Sequence, residues 1–366
     1  MVIKQLQLKQ FRNVEEAEIS FSDGVNLVFG DNAQGKTSLL EAIYLLSAGK
    51  SFRTRHVREL VLHEQREASA EVLFETALSP ENRMRAVLSK TDGKAFYKNG
   101  VRANKLSEII GSLSVVLFVP EHLSMVKDGP ALRRSFLDAA ISQLYPMYPS
   151  YLNEYKKLYE IRINLIRQAK ENPAKKDLFS LYHAPYAKMS AKISLLRRAY
   201  IEELIPHANE QYRLISDARE ALSLSYESDI PKELQTEEEI SAFVEQRLSS
   251  ELERDLRAGF PVHGVHRDDL CMKLDSHDAR TFASQGQQRS IVLALKLAEG
   301  EIAADHLGET PVFLFDDVLS ELDRKRREFV LSKLEGKQTI LTFCDPVRKK
   351  QLAGANRILV KNGTFR

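Results

Sequence analysis

The first third of the chain alternates apolar and polar residues in short runs, the period expected of β-strands. The runs include LQLKQF, VNLVF at 25–29 and RMRAVLSK. Within AFYKNGVR, Asn99 and Gly100 suit a tight hairpin turn, because both residue types tolerate positive φ. The continuous apolar run SVVLFVP at 114–120 indicates a strand that is buried on both faces. We therefore predict a strand-rich segment that ends near residue 125.

The pattern changes near residue 126. From about 130 to 258, apolar residues recur at three- and four-residue steps, as in amphipathic helices, and prolines at 146, 149, 173, 185, 206 and 231 are predicted to divide this region. Strand patterns return after 265 in DLCMKL, VFLFD at 312–316, TILTF at 339–343 and NRILVKNG, with a helix at about 286–307. The pattern predicts an α/β head, residues 1–125 and 265–366, that is interrupted by a helical arm, residues 126–264.

Composition narrows the class of protein. The chain has 366 residues, of which 43% are hydrophobic and 28% charged, as expected of a soluble protein with two lobes. No run approaches the roughly 18 apolar residues that cross a bilayer, and the N-terminus lacks the apolar core of a signal peptide. The only two cysteines, Cys271 and Cys344, have no paired spacing, which argues against a disulfide framework or a zinc site. We expect a cytoplasmic protein.

The charge is unevenly distributed, although the net charge is only +2. Residues 151–200 contain 11 Lys and Arg and 4 Asp and Glu, so their net charge is +7. Residues 201–260 contain 6 basic and 15 acidic residues, so their net charge is −9. Two interpretations remain open: a basic face that binds a polyanion, or two solvated helix faces that partly neutralise each other.

Residues 30–37, GDNAQGKT, match the phosphate-loop pattern G-x-x-x-x-G-K-[ST] between a predicted strand and a predicted helix. Glycines let the backbone amides turn inward around phosphate oxygens, and the start of the helix adds its positive end. Lys36 is predicted to contact the β- and γ-phosphates, and the Thr37 hydroxyl to ligate Mg²⁺. The predicted nucleotide-binding residues are Gly30, Asp31, Asn32, Ala33, Gln34, Gly35, Lys36, Thr37 and Ser38.

The run VFLFDD places two carboxylates at the end of a predicted strand, where open α/β sheets bind ligands. Asp316 is the candidate on the Mg²⁺ side, and Asp317 is the candidate general base that polarises the attacking water. Without a phosphate loop, a strand that ends in a polar turn would be the simpler interpretation. Lys36 and Asp316 are 280 residues apart, so an arm must be inserted between two strands of one sheet.

The polar stretch SQGQQRS at 284–290 precedes the apolar run IVLALKLA. The order of phosphate loop, insertion, polar tip and acidic strand resembles ABC-type ATPases, whose signature tip is similar to S-[GQ]-G-Q. The resemblance implies that the tip contacts, in trans, the γ-phosphate of ATP held by a second copy of the chain. The predicted signature residues are Ser284, Gln285, Gly286 and Gln287. The alternative is a helix with an ordinary N-cap at Ser284.

Further motifs extend this resemblance along nearly the whole chain: FRN at 11–13, GKSFR at 49–53, PEHLSMVKDGPALRRSFLD at 120–138, HRDDL at 266–270 and LFDDVLSELD at 314–323. With these motifs the chain resembles the RecF family, SMC-like ATPases of bacterial gap repair. The resemblance implies an ABC-type head with a helical arm, ATP-dependent homodimerisation, and sequence-independent binding of duplex DNA and of junctions between single- and double-stranded DNA. It also implies slow ATP hydrolysis, cooperation with RecO and RecR in loading a recombinase, a location at the nucleoid, and a nucleotide contact by Arg12.

Some positions depart from the wider ABC pattern. The usual catalytic glutamate is replaced by Asp317, the expected histidine is absent with Asp345 in its place, and no clear Q-loop glutamine follows SVVLFVP. These departures predict slow turnover, as in a timed switch. HRDDL is interpreted as part of the framework of the head. Whether it also lies near the nucleotide is left open. The candidate DNA contacts are Arg53, Arg55, Arg133 and Arg134.

Two other functions use the same motifs. The ATPase subunit of a membrane transporter would carry the phosphate loop and the signature tip, with a membrane protein as its partner. A scaffold with a vestigial site would be indifferent to the change Lys36→Arg. The length of the helical insertion and the strand-rich N-terminus favour the RecF-like interpretation over the transporter subunit.

Overall fold

The computed structural model describes residues 1–343 and 354–366. Its strands are β1 (Val2–Phe11), β2 (Val14–Ser20), β3 (Val25–Phe29), β4 (Glu67–Glu75), β5 (Asn82–Ser89), β6 (Gly93–Lys98), β7 (Val101–Arg102), β8 (Val115–Phe118), β9 (Leu222–Glu227), β10 (Asp269–Leu274), β11 (His277–Asp278), β12 (Val312–Asp316), β13 (Thr339–Phe343), β14 (Asn356–Lys361) and β15 (Thr364–Phe365). Its helices are α1 (Lys36–Ala48), α2 (Pro130–Leu144), α3 (Tyr148–Glu171), α4 (Ser180–Ser216), α5 (Glu237–Ser250), α6 (Leu252–Ala258), α7 (Ala279–Phe282), α8 (Gln285–Leu307) and α9 (Arg324–Lys333).

An antiparallel sheet of order β2-β1-β4-β5-β6-β7 is built from the alternating runs of the first hundred residues. The predicted hairpin is confirmed: Asn99 and Gly100 connect β6 to β7 with φ values of 50° and 81°. Positive φ at both central residues matches the right-handed twist of the two strands, which is why Asn-Gly suits this turn. The sheet buries one face, as its alternating pattern predicts.

A second sheet of order β15-β14-β3-β13-β12-β8 forms the centre of the molecule, and β14, β3, β13, β12 and β8 are parallel to their neighbours. Strand β12 faces two cores. Val312 and Leu314 pack with α1 and the antiparallel sheet, whereas Phe313 and Phe315 pack with α2, α4 and α8. Burial on both faces explains why the strand is apolar at each of these positions. The carboxylates that follow the run therefore emerge at the end of a rigid strand.

A side-chain amide connects the two large sheets. Gln338, which precedes β13, accepts a hydrogen bond from the backbone N–H of Ile3 at 2.7 Å and donates one to the Ile3 carbonyl at 2.7 Å. Gln338 is 3% exposed, so both bonds lie out of water. The contact lies at the start of β1 and just before β13, so it joins the two sheets at the ends of these strands that are away from the Arg12 turn.

The helical region differs from the prediction in three ways. Helix α4 continues through Pro185 and Pro206, which were predicted to divide the region. Each proline removes one backbone hydrogen bond, but neighbours such as Tyr186 and Leu204 are buried and keep the helix in place. The segment TEEEISAFVEQRLSSELERDLRAG, which the apolar period predicts to be helical at the end of this region, is divided at Glu251 into α5 and α6. Tertiary packing thus overrides the local helix-breaking signal.

The third difference is β9, a strand that the sequence analysis did not predict. Its sequence, LSLSYE, buries Leu222 and Leu224 and exposes Ser223 and Ser225, so the strand period was present over a short stretch. β9 pairs with β10 in a sheet of order β11-β10-β9. The predicted boundary at 264 therefore lies between two paired strands, and the division into head and arm stays a prediction.

Among the described helices, none combines the length and the apolar composition that a membrane span requires.

Candidate functional site

The loop between β3 and α1 depends on glycine at two positions. A Cβ on Gly30 would lie 2.2 Å from the carbonyl oxygen of Val360 in β14, so only glycine fits there. Gly35, which caps α1, has φ 115°, a conformation that residues with a side chain rarely adopt. No side chain caps the helix at Gly35, which leaves the first backbone amides of α1 directed at the loop. The predicted phosphate loop therefore has the geometry of an anion cradle.

Lys36 is the first residue of α1 and is 6% exposed. Its Nζ donates hydrogen bonds to the carbonyl oxygens of Gly30 at 2.6 Å and of Asp31 at 2.8 Å. These carbonyls are neutral, so the ammonium charge has no carboxylate partner among the contacts that the structure records for it. The charge therefore remains available to phosphate oxygens inside the loop.

Thr37 and Asp316, 279 residues apart, meet at the end of the central sheet. The Thr37 hydroxyl donates to Asp316 Oδ1 at 3.0 Å, and the Thr342 hydroxyl lies 2.9 Å from the same oxygen. The backbone N–H of Asp317 donates to Thr342 Oγ1 at 2.9 Å, and Asp317 has φ 54°. Positive φ at a non-glycine residue is a strained conformation that recurs at functional sites. The strain directs the Asp317 backbone away from the strand direction that Asp316 follows.

These oxygens fit the Mg²⁺ that the phosphate loop implies. A hydroxyl and a carboxylate are hard oxygen ligands, and Mg²⁺ is commonly held by one or two such protein groups together with phosphates and water. Burial raises the pKa of Asp316, while hydrogen bonds from Thr342 and Thr37 act in the opposite direction. Across residues 1–343 and 354–366, no group of three or more His, Cys, Asp or Glu side chains could hold a metal ion. A ligand set of Thr37 and Asp316 would therefore need phosphate and water to complete it.

A buried carboxylate joins two arginines beside the loop. Glu41, on α1, is fully buried and accepts from Arg12 Nε at 2.9 Å and NH2 at 2.6 Å, and from Arg53 NH1 at 3.2 Å. Arg12 NH1 also donates to the Glu59 carbonyl at 2.7 Å. Since a bidentate pair fixes a guanidinium in both distance and plane, Arg12 and Arg53 are held along one wall. Sequence reasoning missed Glu41, although it is the only acidic residue in the apolar sequence of α1.

Asn13 was also missed. Its Nδ2 donates to the Ala33 carbonyl at 3.1 Å, and its Oδ1 accepts from the Ser38 hydroxyl at 2.9 Å. Asn13 thereby connects the turn after β1 to both sides of the phosphate loop. The signal in the sequence was its place in FRN beside Arg12, but no spacing rule links positions 13 and 38.

The loop, the acidic strand end and the Arg12 wall enclose one cavity of about 850 Å³, large enough for a nucleotide. We call it the nucleotide cavity. Of the predicted nucleotide-binding and catalytic residues, it is lined by Arg12, Asn32, Ala33, Gln34, Gly35, Lys36, Thr37, Ser38, Asp316 and Asp317. Other residues in the lining are Asn13, Phe52, Arg53, Arg58, Glu59, Val61, His63, Lys90, Pro120, Glu121 and Thr342. Gly30 and Asp31 contribute the carbonyls that hold Lys36.

The predicted signature residues 284–287 lie outside the nucleotide cavity of their own chain. Ser284 caps α8 through a capping box: its Oγ accepts from Gln287 N–H at 3.3 Å, and Gln287 Oε1 accepts from Ser284 N–H at 2.6 Å. The cap proposed for Ser284 is therefore present. Gln287 Nε2 also donates to Glu220 at 2.5 Å, and a Cβ on Gly286 would lie 3.0 Å from Arg326. The role of the tip in trans stays a prediction.

Two of the candidate DNA contacts are engaged within the chain. Arg133 is 4% exposed and forms a bidentate ion pair with Asp269 at 2.6 and 2.8 Å, so the prediction of a DNA contact is wrong for Arg133. Burial of a guanidinium requires such a partner, and a paired, inaccessible group cannot reach a DNA phosphate. Arg134 is partly buried and donates to the Asp268 carbonyl at 2.8 Å. Arg55 remains exposed.

HRDDL, interpreted as framework of the head, lies outside the nucleotide cavity, and its buried contacts are with elements of the predicted arm. Asp268 is 2% exposed and accepts from Arg197 NH1 at 2.9 Å and from the Tyr226 hydroxyl. His266 Nδ1 lies 2.7 Å from the Tyr155 hydroxyl. The motif therefore connects α3, α4 and β9. Asp345, considered as a substitute for the missing histidine, lies outside the described residues.

Some residues of the basic segment 151–200 form ion pairs with residues of the acidic segment 201–260. Arg162 pairs with Asp255 at 2.8 Å, Lys176 with Glu253 at 2.5 Å and Lys192 with Glu237 at 4.0 Å. Each pair joins the basic segment 151–200 to the acidic segment 201–260. These contacts favour the interpretation of helix faces that partly neutralise each other over that of one continuous basic face.

Known proteins resemble the chain over nearly its full length. The family model described as RecF/RecN/SMC N terminal domain matches residues 2–361. A protein of Alkaliphilus oremlandii named DNA replication and repair protein RecF is 37% identical over 93% of this chain and 93% of its own length. A protein of the same name from Exiguobacterium sp. is 36% identical over 99% of this chain and 98% of its own length.

Solved structures agree with the sequence comparison. A structure of the recombination mediator protein RecF-ATPrS of the RecFOR pathway superimposes with a TM-score of 0.93 at 34% identity, covering 100% of this chain and 97% of that one. A RecF-ATP structure of the same pathway gives 0.90 at 34% identity, covering 100% and 96%. An Smc head domain from Pyrococcus furiosus, 16% identical with a TM-score of 0.56 over 100% and 95%, shares the fold. With its ABC-type, SMC-like ATPase fold and a phosphate loop at the end of the central sheet, the chain belongs to the RecF family.

Proposed function

We propose that the chain is an ATP-dependent DNA-binding protein of recombinational repair, which dimerises on DNA when both copies hold ATP and Mg²⁺. It acts in the cytoplasm, at gaps and at junctions between single- and double-stranded DNA, and helps RecO and RecR to load a recombinase. The relatives named DNA replication and repair protein RecF support this function over that of a transporter subunit.

One observation carries the dimer. The chain places Lys36, Thr37 and Asp316 around a single cavity but leaves residues 284–287 outside it. An ABC-type site needs both halves, so a second copy in a two-fold arrangement would supply the missing tip to each cavity. Nucleotide then stabilises the closed dimer, because ATP binds the completed site more tightly than the half site.

Within the closed site, the residues would divide the chemistry. Lys36 would exchange its carbonyl partners for β- and γ-phosphate oxygens, and the amides at the start of α1 would hold the phosphates. Mg²⁺, held by Thr37 and Asp316, would supply positive charge to the phosphates. Asp317 would accept a proton from the attacking water, and its side chain is one methylene shorter than the usual glutamate. The shorter reach supports slow hydrolysis, which releases the dimer.

DNA binding through phosphate contacts would depend steeply on salt and little on sequence. Arg133 is excluded from such contacts by burial. Exposed basic side chains, such as Arg55, remain as candidates for contacts between the closed dimer and DNA phosphates. The weak net charge of +2 implies that a local surface, rather than the whole molecule, attracts the duplex.

The test measures molar mass by light scattering and DNA affinity, each with and without ATP and Mg²⁺, for the wild type, Lys36→Arg and Lys188→Arg. We expect ATP to double the mass and to tighten DNA binding for the wild type and for Lys188→Arg, whose lysine is exposed on α4. Lys36→Arg should stay monomeric, because a planar guanidinium does not fit the site that two carbonyls form around Nζ. A wild type that stays monomeric with ATP, with unchanged DNA affinity, would refute the proposal.

A further inference from the structure

A second cavity of about 800 Å³ adjoins the nucleotide cavity, with which it shares Phe52, Arg53 and Glu121. Its wall is formed by α1, the loop at 50–57, the end of β8, α2 and α8. Tyr44 and Leu117 on this wall belong to the core under the antiparallel sheet, whereas Phe136 belongs to the core of the helical side. The cavity thus lies at the seam between the two cores, and we call it the seam cavity.

Three basic side chains line the seam cavity without a close ion-pair partner among the described residues. Lys50, Arg55 and Lys94 are exposed and line it, and none of them has a carboxylate oxygen within 4.0 Å in the described part of the chain. Lys94 Nζ donates only to the Gly49 carbonyl, at 2.6 Å. Asp138 is the acid that acts most strongly on Lys50, but its oxygens already accept from Arg197 and Tyr148. Like charges in such proximity repel each other unless an anion joins them.

The pKa values of Lys50 and Lys94 reflect this repulsion. The side chains of Lys50 and Lys94 reach solvent, but the surrounding wall removes part of the water around each ammonium group. This desolvation lowers the pKa of Lys94, and the neighbouring Lys50 lowers it further. Desolvation likewise lowers the pKa of Lys50, with Arg55 acting in the same direction and Asp138 in the opposite one. An anion in the cavity would act on both pKa values in the opposite direction.

The floor of the cavity carries further polar groups. Lys296, on α8, is 4% exposed, pairs with Glu299 at 2.5 Å and lies over the rings of Phe118 and Phe136 at 5.8 and 5.4 Å. His122 Nδ1 is buried and has no hydrogen-bond partner within the described structure. Burial and the neighbouring Lys296 lower the pKa of His122 well below its ordinary value, so this imidazole adds no positive charge to the cavity.

We propose that the seam cavity binds a small anion with several phosphate groups, an oligophosphate or a nucleoside polyphosphate. Its cations outnumber its carboxylates, since Lys50, Arg53, Arg55, Lys94 and Lys296 face Glu121 and Glu299. Glu299 is already neutralised by Lys296. The volume is that of a small-molecule site, and the rings of Phe52 and Phe136 offer an apolar surface beside the charges.

Because Arg53 lines both cavities, an anion in the seam cavity competes with Glu41 and with a nucleotide for one guanidinium. The two sites are therefore coupled. Occupation of one changes the affinity of the other by the same factor, as linkage requires.

The experiment uses the full chain with its nucleotide cavity saturated by a non-hydrolysable ATP analogue and Mg²⁺, and titrates inorganic tripolyphosphate by calorimetry. We expect the chain to bind a further equivalent of tripolyphosphate, more weakly than without the analogue because both anions draw on Arg53. Removal of two charged donors in Lys50→Ala/Arg55→Ala should weaken that binding by at least about tenfold, and Lys50→Arg should retain most of it. The matched control Arg167→Ala/Lys188→Ala removes two exposed cations from α3 and α4, away from the cavity, and should bind as the wild type does.

Three results would overturn the proposal. The first is the absence of tripolyphosphate binding once the ATP analogue fills the nucleotide cavity. The second is equal weakening in the control variant, which would indicate general attraction by surface charge. The third is binding of a 5′-phosphorylated oligonucleotide that the Lys50→Ala/Arg55→Ala change weakens while tripolyphosphate does not bind, which would assign the cluster to nucleic acid instead. Thermal unfolding of each variant checks that its fold is intact.

Discussion

The nucleotide cavity and the signature tip differ in how completely their own chain organises them. In the cavity, Lys36 is 6% exposed, Glu41 is fully buried, and the acidic strand end is bonded to Thr37 and Thr342. At the tip, Ser284 and Gln285 are exposed. One region is built from both sheets and is ready for a ligand, whereas the other is a helix end whose polar groups bond only nearby residues.

The difference teaches what each region needs in order to act. The cavity needs only nucleotide, because its donors and acceptors are already in place, and pre-organised sites bind without a large ordering cost. The tip has no ligand groups of its own chain to meet, so under the proposed function it acts only against a second molecule. Variants should therefore separate the two regions: cavity changes weaken nucleotide binding by the monomer, whereas tip changes weaken ATP-dependent dimerisation and leave that nucleotide binding unchanged.

The largest effect is expected for Gly30→Ala. The new Cβ would lie 2.2 Å from the Val360 carbonyl, so the loop must move away from β14 and lose the carbonyl that holds Lys36. We expect nucleotide affinity of the monomer to fall by at least about 100-fold, an energy of roughly 2.7 kcal/mol. Gly129→Ala is the matched control, since a Cβ there meets nothing within 4 Å, and its nucleotide titration should match the wild type. Wild-type affinity in Gly30→Ala would contradict the account of the loop.

The next effect concerns Asp317→Asn. Asparagine tolerates the positive φ of 54° that Asp317 adopts, so the backbone should be retained while the proposed base is removed. We expect ATP turnover to fall by about 100-fold, the lower part of the range for general bases, with nucleotide affinity within about twofold of the wild type. Phosphate release and equilibrium binding measure the two quantities. Equal turnover in the variant and the wild type would remove Asp317 from the chemistry.

The sequence predicted the cavity better than it predicted the helical side. The phosphate loop and the acidic run VFLFDD are continuous motifs, and each encodes a strand end with its ligand groups, so both were found without any distance information. Glu41 and Asn13 were missed because their contacts join residues far apart in sequence, Asn13 with Ser38 and Glu41 with Arg12. A pairwise contact of this kind leaves no periodic signal.

On the helical side, local signals gave way to packing. Pro206 is a helix breaker by its own chemistry, yet α4 continues because Leu204 and Ala208 are buried on both sides of it. Arg133 was a candidate DNA contact because arginine is positively charged. The fold places Asp269 of β10 against it, so that Arg133 is instead a buried ion-pair partner. The exposure of a side chain and the residue that it pairs with depend on the fold, so they cannot be predicted from the residue type alone.

A smaller effect is expected at the tip, where two capping boxes allow a direct comparison. Ser284→Ala removes the cap of α8, and Thr236→Ala removes the equivalent cap of α5. Each should lower the free energy of unfolding by about 1 kcal/mol. Only Ser284→Ala should also weaken ATP-dependent dimerisation, by about fivefold to tenfold, because under the proposed function its hydroxyl and the helix end would face the partner's phosphate.

Sedimentation with ATP, beside nucleotide titration of the monomer, separates these results. Nucleotide affinity of the monomer should be unchanged in both cap variants, since neither residue lines the nucleotide cavity. If Ser284→Ala and Thr236→Ala dimerise equally well, the tip is an ordinary helix cap and the comparison between the two regions fails.

The smallest effect is a pH dependence of stability to which Asp316 contributes and the tip does not. Burial raises the pKa of Asp316 above its ordinary value of 3.8, so the folded chain binds a proton more tightly than the unfolded chain does. The free energy of unfolding therefore falls as the pH rises from 3.8 through the raised pKa, because the buried carboxylate must ionise. Asp316→Asn avoids this ionisation and should be slightly more stable than the wild type at neutral pH without nucleotide, with the difference shrinking in acid.

The same change should remove the dependence of nucleotide affinity on Mg²⁺, since Asp316 is the proposed carboxylate ligand. Thermal unfolding across pH, paired with nucleotide titrations with and without Mg²⁺, measures both consequences. Asp177→Asn is the matched control, because this aspartate is exposed and should affect neither quantity. If Asp316→Asn gains stability and loses the Mg²⁺ response, the cavity keeps a destabilising buried charge because that charge is needed for binding. If Asp316→Asn loses stability at neutral pH, the carboxylate has a structural role instead. The tip, which buries no such charge, should show neither behaviour when Gln287 is changed to Ala.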